Sequence, residues 1–223
     1  MCPMRYTGVV TPGGPSEVRD LGSVTLRKAS VSDMHNNVYL LTCAVTDEQL
    51  LIDAAADAPR IRRLLDEGSG RLDLIVTTHQ HWDHHRALAE IHGATSAVTA
   101  AGEADAPALP VVPDIVLNQG DRVTFGAVAL DVLHLRGHTP GSVALAFTDP
   151  TGRVHLFSGD SLFPGGVGNT GQDPARFTSL VDDVEHRIFD VYADDTWVYP
   201  GHGADTTLGA ERPPLAEWRA RGW

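Results

Sequence analysis

The densest group of chemically active side chains in this sequence is the run Thr77-Thr78-His79-Gln80-His81-Trp82-Asp83-His84-His85. It places four of the chain's eleven histidines within seven residues, with an aspartate among them. Neutral imidazole and carboxylate groups are common ligands of zinc and other divalent transition metals. Residues two apart on extended backbone project to the same side, so His79 and His81 can face one ion. The run predicts a metal site; the alternative is a solvated histidine cluster on a surface loop.

Further ligand types occur later in the chain, each beside glycine. They are His138 in Gly137-His138-Thr139-Pro140-Gly141, Asp160 in Ser158-Gly159-Asp160, and His202 in Gly201-His202-Gly203. Glycine permits the close backbone approach that a tightly built site needs. Each of these signals alone also fits an ordinary turn, so their weight comes from their occurrence together with the first run.

The composition is that of a soluble globular protein, with 223 residues, 42% apolar and 21% charged. A formal net charge of −12, with Lys28 as the single lysine, argues against nucleic-acid binding. The first residues contain no apolar signal-peptide core, and no run of about 18 apolar residues follows, so we expect a cytoplasmic protein without a membrane span. Cys2 and Cys43 do not suggest a structural disulfide.

The elements of the first half would place the histidine-rich run at the end of a strand. We predict strands over residues 23–28, 37–45, 49–52 and 72–77, and helices over 59–67 and 82–91. Ligands in α/β sheets collect at the carboxyl ends of strands, where this run would lie. Residues 10–22 are rich in proline and glycine and predict a surface loop.

The second half repeats this layout. The predicted strands are 96–99, 115–117, 121–125, 127–134, 143–147, 154–158 and 196–199, and the predicted helices are 174–192 and 214–221. The first of these helices carries an apolar stripe that extends to Val191. No linker or strong repeat divides the chain, so we expect one domain over 1–223. Strands followed by helices in both halves fit an α/β fold of the αββα type, a sandwich of two mixed β-sheets with helices on the outer faces.

Four short patterns taken together resemble the metallo-β-lactamase superfamily. They are His-x-His-x-Asp-His from 79, Gly-His-Thr-x-Gly-Ser from 137, Ser-Gly-Asp-x-Leu-Phe from 158 and Pro-Gly-His-Gly from 200. They look most like its single-domain glyoxalase II (hydroxyacylglutathione hydrolase-like) branch, and the resemblance covers nearly the whole chain. It implies the αββα fold and is less specific for the substrate.

The resemblance implies seven metal ligands in two groups that share one carboxylate. The first group is His79, His81 and His138, the second is Asp83, His84 and His202, and Asp160 bridges both. The implied cofactor is a pair of divalent metal ions, zinc in the first instance and iron or manganese as alternatives. The implied reaction is hydrolysis of a small acyl thioester by a metal-bound hydroxide, with Asp83 orienting the nucleophile or passing a proton.

Further residues are assigned supporting roles by the resemblance or by their position. Asp53 matches a carboxylate behind the site that fixes a ligand or the motif backbone, although a helix or turn cap is an alternative reading. His85 is expected behind the ligands, Trp82 in packing, and Phe163 on the floor of the substrate pocket. Arg212 is either structural or faces the substrate.

Asn169 marks a departure from the family pattern. Glutathione-using members carry a basic residue at this place, and an uncharged amide cannot offer the same charge-assisted contact to a substrate carboxylate. The C-terminal helical domain of longer glyoxalases II also has no counterpart in this sequence. Both departures argue against glutathione as the thiol carrier and leave metal-dependent hydrolysis untouched.

Other functions remain open on the same residues. The first is a mononuclear non-haem iron persulfide dioxygenase, which would use His79, His138 and Asp160 on one ion. The second is a lactonase or phosphodiesterase on the same scaffold. The third is a metal-binding or redox protein without enzymatic activity. The histidines outside the motifs are expected to be ordinary surface or core residues.

Overall fold

Residues 6–222 are described in a computed structural model. Within this range the chain forms fifteen β-strands and five α-helices. Cys43 is buried in the apolar core and has no disulfide partner in the described part of the chain. Cys2 lies outside the described residues.

The first sheet contains seven strands that neighbour one another in chain order. They are β1 (Glu17–Asp20), β2 (Val24–Val31), β3 (Asn36–Cys43), β4 (Gln49–Ile52), β5 (Leu74–Thr77), β6 (Val98–Gly102) and β7 (Ile115–Leu117). The pairs from β1 to β4 are antiparallel, and those from β4 to β7 are parallel. Parallel neighbours require crossover connections, and two helices, α1 (Ala58–Glu67) and α2 (Leu88–Thr95), lie in the crossovers on both sides of β5.

The second sheet contains six strands from the C-terminal half. They are β8 (Arg122–Phe125), β9 (Val128–His134), β10 (Val143–Thr148), β11 (Val154–Gly159), β14 (Trp197–Pro200) and β15 (Thr206–Thr207). Their order across the sheet is β15-β14-β11-β10-β9-β8, and the β11–β14 pair is parallel. The connection between those two strands contains a small hairpin of β12 (Leu162–Phe163) and β13 (Gly166–Val167), followed by the helix α3 (Pro174–Val184). The helices α4 (Leu208–Glu211) and α5 (Leu215–Arg221) end the described chain.

Three apolar layers hold these elements together. The layer between the sheets includes Leu26, Tyr39, Leu50, Val132 and Phe157. The outer layer of the first sheet packs α1 and α2 through Ile61, Leu64, Leu88 and Ile91. The outer layer of the second sheet packs α3 and α5 through Phe177, Leu180, Val184 and Trp218. The order helix, sheet, sheet, helix confirms the αββα sandwich predicted from the sequence.

Two sequence predictions fail in the first half. Residues 17–20, predicted as loop, form the edge strand β1, which pairs with β2 in antiparallel register. The helix predicted over 82–91 is interrupted: a 3-10 turn covers Trp82–His84, and α2 begins only at Leu88. The interruption has a physical cause, because the Arg86 and Ala87 N–H groups donate to carbonyls of the loop after β4.

Three side-chain or helix predictions also need correction. The helix predicted over 174–192 is α-helical only to Val184 and continues as a π-helical segment over Glu185–Phe189. Val191 lies beyond it and is 62% exposed, so it does not belong to the apolar stripe. Trp82 is 57% exposed and stacks under the Arg86 guanidinium instead of packing in the core.

Among residues 6–222, no helix combines the length and the apolar character needed to cross a membrane.

Candidate metal centre

The loops that carry the predicted ligands meet at one edge of the sandwich. The histidine-rich run follows β5, and His138 lies in the loop between β9 and β10. Asp160 follows β11, and His202 follows β14. The two sheets are joined here by backbone contacts, including the Asn37 N–H donating to the Gly201 carbonyl at 2.7 Å. All seven predicted ligand side chains therefore lie in one small region.

The first predicted ligand group is compact. His138 Nε2 lies 3.3 Å from His79 Nε2 and 2.8 Å from His81 Nδ1. Ligand atoms of these three residues all fall within 4.8 Å of one another. Three ring nitrogens that converge this closely fit a shared cation, because a single proton can bridge only one pair of them.

The second predicted group lies beside the first. His202 Nε2 is 3.0 Å from His84 Nε2 and 3.3 Å from Asp83 Oδ2. These three residues also have ligand atoms within 4.8 Å of one another. The donor set of two imidazoles and one carboxylate is typical of divalent transition metals.

Asp160 lies between the two groups. Its Oδ2 is 3.5 Å from His138 Nε2 in the first group, and its Oδ1 is 3.5 Å from His84 Nε2 in the second. Oδ1 is buried and has no hydrogen-bond partner among residues 6–222. A buried carboxylate oxygen that accepts no hydrogen bond is costly, and a cation at this place would satisfy it. The residues present therefore fit a pair of metal ions.

Gly201 is required by this close packing. A Cβ atom at this position would lie 2.2 Å from Asp160 Oδ1 and 2.8 Å from the His84 ring. Real Cβ atoms do not tolerate such distances, so any larger residue would displace the carboxylate or the loop. The close approach expected at the glycine before His202 is therefore present in the structure.

In four of the histidine rings, the Nδ1 atom, which faces away from the cluster, forms a hydrogen bond. His84 Nδ1 is 2.9 Å from Asp53 Oδ2, and His79 Nδ1 is 3.0 Å from Thr78 Oγ1. The Nδ1 groups of two others donate to backbone carbonyls, His138 to Asn169 at 2.7 Å and His202 to Met34 at 2.8 Å. A proton on Nδ1 leaves the Nε2 lone pair directed into the cluster, as a metal ligand requires.

Asp53 joins the histidine-rich run to the sheet. Its carboxylate accepts hydrogen bonds from the Thr78 N–H at 2.7 Å and the Thr78 hydroxyl at 2.8 Å, in addition to its contact with His84 Nδ1. The side chain that caps α1 is Asp57, which accepts the Arg60 N–H. The cap reading of Asp53 is therefore not needed, and its contacts match a support for the ligand loop.

Asn36 is a site residue that sequence reasoning missed. Its side-chain amide donates to Asp83 Oδ2 at 2.9 Å and to the Asp83 carbonyl at 3.2 Å, and it lies 3.5 Å from His202 Nε2. It thereby fixes two members of the second group. The available signal was a pair of asparagines, Asn36 and Asn37, at the start of a strand that is otherwise apolar.

The remaining predicted site residues surround the cluster. His85 Nε2 contacts the Gln80 carbonyl at 3.1 Å and so supports the ligand loop from behind. Phe163 is half-buried, with its ring centre 6.5 Å from that of His202, and it lines an open cavity of about 580 Å³. The exposed side chain of Asn169 accepts the Gly171 N–H at 2.7 Å and closes a local turn.

Arg212, left open between two roles, faces the protein and not the cluster. Its guanidinium donates to the carbonyls of Phe189 and Tyr192 and to the Asp194 carboxylate. These contacts hold the end of the π-helical segment against α4. The structure therefore favours the structural role.

The electrostatics of the cluster separate the histidines into two kinds. Burial lowers the pKa of His79, His81 and His138, so these rings are neutral at pH 7. Burial alone would also lower the pKa of His84, but the Asp160 and Asp53 carboxylates outweigh it and raise the pKa to about 10.

The pKa values of Asp160 and Asp83 are lowered, opposite to the shift at His84. Burial would raise the pKa of Asp160, but the charge of His84 and the hydrogen bonds of the neighbouring rings hold it well below its usual range. The pKa of Asp83 is lowered in the same way by His84 and Asn36. Without metal, the second group is thus a buried ion-pair network, and a cation binding there must displace the His84 proton.

Comparisons with known proteins identify the family. The family model described as the metallo-beta-lactamase superfamily matches residues 31–210. A hydroxyacylglutathione hydrolase of Fuscovulum blasticum is 41% identical over 60% of this chain and 50% of its own length. The chain spans only 50% to 62% of the length of the first curated relatives it matches.

Two crystal structures have the same overall fold. The protein TTHA1623 in a di-iron-bound form is 31% identical, with a TM-score of 0.69 over 83% of this chain and 96% of that one. ETHE1 from Myxococcus xanthus is 26% identical, with a TM-score of 0.74 over 86% of this chain and 84% of that one. With the match over residues 31–210, these likenesses place the chain in the metallo-β-lactamase superfamily, to which it belongs.

Proposed function

We propose that the protein is a metal-dependent hydrolase that cleaves a small acyl thioester with water at a pair of divalent metal ions. The observation that carries the proposal is Asp160, which lies 3.5 Å from His138 of one group and 3.5 Å from His84 of the other. One carboxylate between two three-donor groups is typical of two-metal hydrolytic centres. The identity to the Fuscovulum blasticum hydroxyacylglutathione hydrolase supports a thioester as the substrate class.

The proposed ligands are the seven residues described above, with zinc as the first candidate metal and iron or manganese as alternatives. Ions bound there would lower the pKa of a coordinated water from about 16 to near 7 and polarise a substrate carbonyl. Burial keeps His79, His81 and His138 neutral and therefore able to bind metal at pH 7. The Nδ1 hydrogen bonds hold the rings in position, which limits the reorganisation needed during the reaction.

Asp83 is assigned the role of orienting the attacking water or passing its proton. The lowered pKa keeps its carboxylate ionised at neutral pH, and the Asn36 amide fixes Oδ2 beside His84 and His202. An ionised carboxylate in a fixed position can accept a hydrogen bond from a nucleophilic water. No serine or cysteine nucleophile is required.

The proposed substrate contacts lie on the β12–β13 hairpin and just after it. Phe163 separates the cluster from the 580 Å³ cavity, so an acyl or thiol group could pack against its ring. Asn169 supplies no cation for a carboxylate on the thiol carrier. A thioester of a thiol other than glutathione therefore fits these residues better than a glutathione thioester.

A second candidate function is supported by the distances between three ligand atoms. His79 Nε2, His138 Nε2 and Asp160 Oδ2 are 3.3, 3.5 and 3.9 Å apart, as a two-histidine, one-carboxylate face for a single iron would require. The likeness to ETHE1 from Myxococcus xanthus fits this alternative, an iron-dependent persulfide dioxygenase.

The test is metal analysis of the purified protein together with assays of a thioester panel in air and under nitrogen. Two ions per chain and hydrolysis that is independent of oxygen support the hydrolase. One iron per chain and oxygen uptake with a thiol persulfide support the dioxygenase. His202→Ala separates the two further, because the hydrolase needs His202 as a ligand and the three-residue iron site does not. Absence of both metal binding and hydrolysis refutes the hydrolase.

A further inference from the structure

A buried carboxylate outside the predicted ligand set connects the two loops of the first group. Asp105 lies in the turn after β6 and is fully buried. Its Oδ2 accepts the Gln80 N–H at 2.9 Å, and Gln80 stands between the ligands His79 and His81. The same carboxylate therefore touches the backbone of the histidine-rich run at its centre.

The other contacts of Asp105 reach the loop that carries His138. Its Oδ1 accepts the Gly141 N–H at 2.7 Å, and its Oδ2 also accepts the Thr139 hydroxyl. Packing here is tight, because a Cβ atom at Gly141 would lie 2.4 Å from the Asp105 nitrogen. A buried carboxylate that accepts three hydrogen bonds is held in one orientation, and it holds its donors in turn.

The two loops have other supports, but these act at different places. The Val143 N–H donates to the Thr78 carbonyl at 2.9 Å, where β5 ends and β10 begins. Arg176 donates to the carbonyls of Gly137 and His138 and so ties that loop to α3. Asp105 is placed differently, because it joins the ligand-bearing parts of the two loops to each other.

We propose that Asp105 is a positioning residue that sets the distance between the His79/His81 loop and the His138 loop, and so determines the affinity of the first metal ion. This inference rests on the ligand assignment made for the proposed function. The second group is supported by other side chains, Asp53 and Asn36, and does not contact Asp105. The effect of losing Asp105 should therefore be confined to one of the two ions.

The test is the binding of Co²⁺ to metal-free protein, followed by its visible absorption spectrum and by competition with a chelator. Asp105→Asn keeps the shape but places an amide NH₂ against a donor, so at least one of the three hydrogen bonds is lost. We expect the dissociation constant of the first ion to rise by about tenfold or more, the scale found for groups that support metal ligands. The second ion should bind with unchanged affinity.

Reference variants assign each spectrum to its site. His81→Ala removes a ligand from the first group only, and His202→Ala removes one from the second only. Asp149→Asn is the matched control, since Asp149 is another largely buried aspartate that accepts the Thr151 N–H and hydroxyl in a turn away from the cluster. It should leave both ions and both spectra unchanged.

A pair of variants at Thr139 gives an independent test if Asp105→Asn does not fold. Thr139→Val removes the hydroxyl that donates to Asp105, and Thr139→Ser keeps it. Valine should weaken the first ion in the same direction as Asp105→Asn, and serine should restore its affinity.

The outcomes separate this inference from the proposed function. If wild-type protein binds no metal, the ligand assignment itself is wrong. If wild type binds two ions and Asp105→Asn, or Thr139→Val in its place, binds the first with equal affinity and spectrum, the positioning role is refuted. Equal weakening of both ions would refute it as well, because a general loss of structure predicts that result.

Discussion

Removal of the Asp160 carboxylate is the perturbation that most directly tests a shared two-metal site. Its carboxylate contacts both ligand groups: Oδ2 lies 3.5 Å from His138 Nε2 and from His202 Nε2, and Oδ1 lies 3.5 Å from His84 Nε2. His202, in contrast, contacts Asp83 and His84 of the second group as well as Asp160, and forms no hydrogen bond or ring contact with His79 or His81. Asp160→Asn should therefore release both ions, whereas His202→Ala should release one.

The expected magnitude follows from linkage between metal binding and folding. A ligand at 100 times its dissociation constant stabilises the folded state by about 2.7 kcal/mol, so two ions contribute roughly 5 kcal/mol. For a chain of 150–250 residues, each kcal/mol raises the melting temperature by about 2–4 °C. Zinc should then raise the melting temperature of wild type by roughly 10–20 °C, that of His202→Ala by about half as much, and that of Asp160→Asn hardly at all.

The assay compares each variant with its own metal-free form by differential scanning calorimetry, with zinc content measured on the same samples. This comparison removes the effect of each substitution on the metal-free fold. Asp149→Asn serves as the control, and its zinc-dependent shift should equal that of wild type. A full shift and two bound ions in Asp160→Asn would show that the bridging role is wrong, and loss of both ions in His202→Ala would show that the sites are not separable.

Three further predictions concern single residues. Burial lowers the pKa of His155 to about 4, so the folded state binds fewer protons than the unfolded state. Because of His155, the free energy of unfolding of metal-free protein should fall by about 2–3 kcal/mol between pH 7 and pH 4.5. His155→Phe lacks the titrating ring, so its free energy of unfolding, measured by urea titration, should depend less on pH by that amount. An equal pH dependence in wild type and variant would contradict the lowered pKa of His155. Asn169→Arg should raise kcat/KM for a glutathione thioester several-fold by adding a cation, whereas Asn169→Gln should not. Equal kcat/KM in the two variants would show that the missing cation does not limit the use of glutathione thioesters. Gly201→Ala should lower the bound metal measured by elemental analysis, because its Cβ would meet the Asp160 carboxylate. Gly93→Ala, at a glycine of α2 with open space around it, should keep both ions, and equal metal content in the two variants would contradict the packing argument.

The elements that the sequence predicted well are those whose pattern is local. The bounds of β4 (Gln49–Ile52) and β7 (Ile115–Leu117) agree with the prediction, because short apolar runs are bounded there by polar or turn-forming residues. The edge strand β1 was missed because its signal lies in pairing with β2 and not in its own composition. The interruption before α2 was missed because the bonds that cause it come from Ala54 and Ala55, some thirty residues earlier in the chain.

The residues of the candidate site also differ in how far the sequence alone could predict them. The residues proposed as ligands were singled out by residue type, by neighbouring glycines and by the family resemblance, and the folded chain brings their side chains together. Asn36 and Asp105 could not, because each acts on residues far along the chain: Asn36 on Asp83, and Asp105 on Gln80 and Gly141. The asparagine pair at the start of β3 was the one signal for Asn36, and only the folded chain shows what either residue contacts. Supporting residues that lie outside a recognised pattern are therefore harder to predict than those inside it, such as Asp53 and His85.

Lys28 illustrates what such support requires. This single lysine of the chain is fully buried, and its ammonium lies 2.6 Å from Asp205 and donates to the carbonyls of Gly8 and Gly203. A buried ion pair is weak evidence for stability, because desolvation offsets much of the attraction and apolar residues of equal volume often do as well. An apolar side chain, however, could not bind the Gly203 carbonyl next to His202. The buried charge is better explained by the loop geometry that it fixes than by any net gain in folding free energy.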